Sequence, residues 1–159
     1  MEQKLQGIHR NAAAPDGSTT ELTEQEINAY IAAGKIQLPV GVKSVVFQGK
    51  PGVVTATTRV DFDQVKAGRV SANPLLAIFS GDHDVVVVAH ASGSGGQGVL
   101  HVDSVVLDGV EIPRFVLQLF VEKYLQPKYP EIGLDSRFAL PERIDTAVVG
   151  ERRLVLIQR

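Results

Sequence analysis

Residues 109–125, GVEIPRFVLQLFVEKYL, constrain the fold more than any other stretch of this chain, because they read as a helix with almost no polar face. Pro113 suits the first helical turn, where its missing N–H leaves no bond unmade. Behind it Phe115, Val116, Leu117, Leu119, Phe120, Val121, Tyr124 and Leu125 cover nearly the whole circumference, leaving Gln118, Glu122 and Lys123 as the polar positions. A helix that is apolar all round has to be enclosed. A bilayer span takes roughly 20 apolar residues, more than this charge-interrupted segment supplies, so the enclosing material is expected to be the protein's own sheet.

The chain's 159 residues fit one domain with a single sizeable core. Its 16 Lys and Arg balance 18 Asp and Glu without a basic block, so there is no footprint for a phosphate backbone and no nucleic-acid partner is expected. The absence of cysteine removes disulfides and thiolate metal sites. Residues 1–21 lack the apolar stretch of a signal peptide and read as a flexible polar lead, which leaves 22–159 as the single α+β domain.

The first helix announces itself at Leu22-Thr23-Glu24-Gln25-Glu26-Ile27, where Thr23 and Glu26 have the spacing of a capping box and Leu22 and Ile27 that of a hydrophobic staple. Ile27, Tyr30 and Ile31 continue one apolar stripe, and Gly34 terminates it, so this helix is amphipathic. A short strand over residues 43–48 and a hairpin turn at Lys50-Pro51-Gly52 follow. From Val54, the positions Ala56, Thr58, Val60 and Phe62 alternate with Thr55, Thr57, Arg59 and Asp61, which predicts a half-buried strand. Periodicity fails between residues 63 and 81. The apolar run Leu75 to Phe79 there reads as a short helix or strand closing the core, with a lid as the alternative. Residues 85–90 and 99–107 read as a hairpin, and 137–140, 144–149 and 152–157 as closing strands.

Few residues carry chemistry. The glycine-rich GSGGQG at 93–98 precedes a strand rather than a helix, so it reads as a hairpin turn and not a phosphate loop. His90 and His101 face each other if the hairpin centres on Gly95 and Gly96, and with Asp103 they could form a two-histidine, one-carboxylate metal set. A one-residue slip separates them, and solvent-side strand residues are the reading kept, with no metal expected. His83 lies between Asp82 and Asp84, carboxylates expected to favour its protonated form. No G-x-S-x-G elbow is present, and the Asp61 and Asp63 pair shares a strand face without anything placing a sugar between them. No catalytic residue and no cofactor are assigned.

Together these pieces predict an α+β domain in which a strongly curved, mostly antiparallel sheet wraps a long apolar helix, with the amphipathic helix alongside. The runs ELTEQEINAYI, LPVGVKSVVF, VVTATTRVDFD, VVLDGVEIPRFVLQLFVEKYL and FALPERIDTAVVGERRLVL resemble, over most of residues 22–158, bacterial envelope proteins of the tubular lipid-binding superfamily. The resemblance rests on element order and on two short patterns, G-V-E-I-P and A-L-P-E-R-I. It implies an acyl chain or other greasy ligand held without catalysis between helix and rolled sheet, a place in the periplasm or cell envelope, and transient membrane contact. The side chains expected to line the groove are Ile27, Tyr30, Ile31, Val60, Phe62, Phe115, Leu119 and Phe120. Two other classes stay open. One is a solid-core interaction module working through a sheet edge or the 64–81 loop; the other is an enzyme using His90 or His101 as base with Asp103 orienting it.

Overall fold

In the computed structural model, which describes residues 1–12, 18–66 and 73–159, nine strands pair into one antiparallel sheet. The order across it is β1 (Ser18–Thr23), β9 (Arg153–Gln158), β8 (Ile144–Gly150), β4 (Asp82–Ser94), β3 (Val53–Asp61) and β2 (Val42–Lys50). Alongside β4 runs β5 (Gln97–Leu107), which also pairs with the short β6 (Val110–Glu111) and β7 (Asp135–Ala139). The sheet is open, ending at β1 and β2.

The hairpins sit where turn chemistry puts them. Gly52 takes the positive φ that closes β2 onto β3. Gly95 and Gly96 both take positive φ between Ser94 and Gln97, the requirement of a tight two-residue hairpin whose twist matches its strands. The β3 alternation holds up to Val60, which is buried, with Thr57 and Arg59 exposed. It stops one residue before Phe62. Asp61 Oδ1 accepts from the N–H groups of Asp63 and Gln64 at 3.0 and 3.3 Å, turning the chain into a short helix, α3 (Phe62–Lys66). Asp61 is thus a helix cap, and the expected carboxylate pair on a strand face is not formed.

Helix α2 (Glu24–Ala32) has the expected capping box: the Glu26 N–H donates to Thr23 Oγ1 at 3.1 Å, and the Thr23 N–H to Glu26 Oε1 at 3.2 Å. A hydrogen bond from Lys4 Nζ at 2.7 Å, reinforced by the Thr23 amide, pulls the Glu26 carboxyl down to about 2. The same helix seals the edge of β2. Asn28 accepts from the Phe47 N–H and donates to its carbonyl at 2.8 and 2.9 Å, and Glu24 accepts from the Gly49 N–H at 3.0 Å. Those groups would otherwise be an open template for another strand.

Two sequence expectations are corrected. The polar lead is structured over most of its length: α1 (Glu2–Ala12) buries Ile8, and β1 pairs with β9. Gln158, 1% exposed, ties α1 down by donating to the Ile8 and Glu142 carbonyls at 2.7 and 2.8 Å. The apolar segment is not one long enclosed helix. After Pro113 at its N-cap come α4 (Arg114–Phe120) and a π-helical turn, Val121–Leu125. Only the stripe Val116, Leu117, Phe120, Val121 and Tyr124 is buried, whereas Phe115 is 61% exposed. The sheet covers one side of this helix and does not wrap it. No helix among the described residues is long and apolar enough to cross a membrane.

Apolar packing falls into two clusters. One gathers Ile8 of α1, Leu22, Ile144 and Leu156, with Ile27 against them. The larger lies between β3, β4 and β5 and the α4 helix, and includes Val60, Phe62, Phe79, Val85, Val102, Phe120 and Tyr124.

Candidate functional site

The larger cluster is not filled. Between the sheet and the α4 helix lies a cavity of about 410 Å³. Its sheet wall is set by strand alternation: Thr58 and Val60 from β3, Val85 and Val87 from β4, and Leu100, Val102, Val105 and Leu107 from β5. A register shift after Val88 inserts Asp103 into β5, which is why Val102 and Val105, three residues apart, both face inward. The opposite wall is Leu117, Phe120, Val121, Tyr124 and Leu125. The π turn, closed by the Gln126 N–H on the Val121 carbonyl at 2.9 Å, brings Tyr124 and Leu125 both onto this wall. Exposed Pro39, Val40, Lys128 and Ile132 mark the mouth.

One end is closed by stacked aromatic rings. Phe79, 2% exposed, lies 4.3 Å from Phe120 and 5.4 Å from Phe62, and Phe62 meets Phe120 edge-on at 5.6 Å. Phe79 arrives there from the irregular 63–81 stretch through a 3₁₀ turn, Pro74–Leu76, whose Leu76 is also buried. Leu75 and Ile78 are exposed, so the apolar run divides between core and surface. Residues 67–72, within the lid expected there, lie outside the described residues.

His83 holds this closure in place. Its Nε2–H donates to the Ser80 carbonyl at 2.6 Å, and its Nδ1–H donates to the Asp108 carboxylate. Both partners only accept, so the ring needs both protons and is the imidazolium. The bond to Asp108 raises its pKa, against a smaller opposing effect of burial, and lowers that of Asp108. The controlling carboxylate is therefore Asp108, across the hairpin, rather than the flanking Asp82 or Asp84. A raised folded pKa means that the clamp's stabilisation is complete below about pH 6.5, the value of a free imidazole, and is lost as pH rises through the folded value. Thermal melts of the wild type are expected to decline in that alkaline direction while those of His83→Phe stay flatter; parallel curves would contradict the clamp.

His90 and His101 lie opposite each other across β4 and β5, as the Gly95-Gly96 register predicts. His90 Nδ1–H donates to Asp103 at 2.6 Å, while His101 Nδ1–H donates to Asp135 and its Nε2 lies 3.6 Å from Asp103. Arg114 continues the chain, donating to Asp135 at 3.1 Å and to the Val102 carbonyl at 2.8 Å. The hydrogen bond from His101 is the main reason that the Asp135 carboxyl sits below its usual range. The hydrogen bonds of the two histidines go to different carboxylates. Among the described residues no group of three such side chains is arranged to hold a metal ion. His101 alternates with Leu100 and Val102, so this polar ladder projects from the sheet face opposite the cavity. It fastens the start of α4 to β5 and β7.

Of the residues expected to line the groove, Val60, Phe62 and Phe120 do so. Leu119 packs against the same core but not on the cavity wall, and Phe115 faces away from it. Ile27 lines a separate recess of about 250 Å³ beneath α2, between Phe47, Val54 and Leu154. Tyr30 and Ile31 are half-buried on α2 and line neither space. Sequence reasoning missed Val85, Val87 and Val105, whose alternation marks one strand face, and Leu117, Val121 and Tyr124, whose spacing marks one helix face. No protein-family model matches this chain, nor does any curated protein or solved structure.

Proposed function

We propose that this protein binds a single-chain, lipid-like molecule in the α4 cavity without transforming it. The observation that carries this reading is the cavity's size together with its almost wholly apolar walls. At about 410 Å³ it falls in the range of small-molecule sites, about 300 to 1,000 Å³. Taking a methylene as about the size of a water molecule in the liquid, ~30 Å³, the space holds roughly a dozen chain carbons, one acyl chain rather than two. Burying that many at about 0.8 kcal/mol each gives a gross gain of about 10 kcal/mol. Several kcal/mol of this offset the lost motion of the ligand, which leaves affinities near the micromolar range.

In this reading the chain acts as a tubular lipid-binding module of the cell envelope, with the ligand held between the sheet and the α4 helix. The rival of a solid-core interaction module draws support from Val110 and Phe115, 65% and 61% exposed beside Pro113. Displacement of a fluorescent alkyl probe by straight-chain alkanols and alkanoates of about 6 to about 16 carbons separates the two. Affinity is expected to rise about fourfold per methylene up to about a dozen carbons and then level off. No binding, or affinity indifferent to chain length, would overturn the carrier reading.

A further inference from the structure

We infer that the outer edge of β7 is a self-association surface, along which a second copy of this chain adds its own β7 antiparallel, centred on Ser136. The strands at the two ends of the sheet are closed from within the chain. On β2, Asn28 and Glu24 take up the outward groups of Phe47 and Gly49. On β1, Lys4 Nζ donates to the Glu21 carbonyl at 2.7 Å and the Thr23 N–H donates to Glu26 at 3.2 Å. The edge of β7 has no such cover. The Val102 N–H donates to the Leu134 carbonyl at 2.7 Å and the Leu140 N–H to the Gly96 carbonyl at 2.9 Å, so on β7 the even-numbered residues bond to β5. Asp135, Arg137 and Ala139 therefore turn their N–H and C=O groups away, and among the described residues nothing bonds to them. Every β7 residue except Ser136 is exposed. A bare run of this kind is a template for one more strand.

Charge selects a second copy as that strand and sets its register. Asp135 and Arg137 lie two residues apart on one sheet face, the face of their β5 partners His101 and Val99. A two-fold axis at Ser136 brings each Arg137 opposite Asp135 of the other copy, an opposite-charge pair made twice. Asp135 already meets His101 and Arg114, yet its side chain is 69% exposed and open to a further cation. These are also the positions whose backbone groups point outward, so each pair exchanges two N–H···O bonds and four join the copies. The neighbouring register, centred on Arg137, sets the two guanidinium groups against each other instead. Paired residues share a sheet face, which leaves both α4 cavities on the same side of the joined sheet. The pairing does not depend on what those cavities hold.

Sedimentation of the full chain from about 1 μM to about 1 mM, the span from moderate to weak complexes, tests the edge, and cysteine cross-linking tests its register. The wild type is expected to approach twice the chain mass at the upper end. Arg137→Pro removes an N–H that bonds nothing within the chain, so it is expected to fold and to stay monomeric. Arg137→Asp changes only an exposed side chain and sets like charges opposite each other, and it is expected to weaken the dimer at least about tenfold. The chain has no cysteine, so Ser136→Cys places one thiol per copy at the axis, where paired Cα atoms lie about 4.5 Å apart, within disulfide reach. Mild oxidation is expected to link that variant into a covalent dimer. A wild type that stays monomeric throughout, a dimer that both Arg137→Pro and Arg137→Asp leave intact, or linkage of Arg137→Cys in place of Ser136→Cys would overturn the proposal.

Discussion

The paired variant Val87→Phe, Val105→Phe is expected to fold normally and to bind a dodecyl chain at least about 100-fold more weakly than the wild type. Val87 and Val105 are register partners on β4 and β5, and both line the cavity. Each change adds about four carbon atoms to the wall, so together they occupy roughly eight of the dozen methylene positions. At about 0.8 kcal/mol per methylene, the displaced contacts amount to as much as about 6 kcal/mol, and some rearrangement softens that loss. Overpacking a full core costs typically about 1 to 3 kcal/mol, but here the rings enter open space and bury their own apolar surface. Binding and stability should therefore part company: titration shows the loss, while the melting temperature stays level or rises. A variant that unfolds would mean that the space is already filled, and one that binds as the wild type would place the chain elsewhere.

Phe79→Ala is expected to lower stability by about 3 to 5 kcal/mol, a large fraction of the ~5 to 15 kcal/mol that holds a typical domain together. Phe79 is almost wholly buried and sits against both Phe62 and Phe120, so its removal leaves a hole that these rings cannot close without leaving each other. For a chain of this size that loss corresponds to a melting temperature about 10 °C lower or more. Leu75→Ala, four residues away in the same apolar run, supplies the contrast. Leu75 is 43% exposed, and its truncation is expected to change stability by no more than about 0.5 kcal/mol. Comparable losses at both positions, measured by denaturant titration, would contradict the division of this run between core and surface.

Local chemistry was legible in the sequence. The capping box at Thr23 and Glu26 and the paired glycines at 95 and 96 determine their structures through their own backbone requirements, and both appear where expected. Helix α1 was less visible because its residues are polar on average; its signal is the Met1, Leu5 and Ile8 stripe, spaced as one helical face, which packs with the cluster under β9. The α4 segment misled for another reason. Counting apolar residues around a helix does not say what covers each, and Phe115 remains uncovered because the open sheet reaches only one side. Placing α2 in the groove failed because its position depends on long-range contacts. Asn28 and Glu24 engage the edge of β2, which carries Ile27 to a different recess. The cavity itself is a volume left between layers, and its walls come from strands and a helix as far apart as Thr58 and Tyr124.

The α4 cavity as the seat of an alkyl chain is tested most directly by a crystal structure of the protein with a dodecyl chain brominated at its terminal carbon, read from the bromine's anomalous scattering. The expected peak lies within the walls formed by Val60, Val87, Leu117 and Phe120. A peak confined to the outer surface, or side chains packed across that space with no chain beside them, would contradict the account.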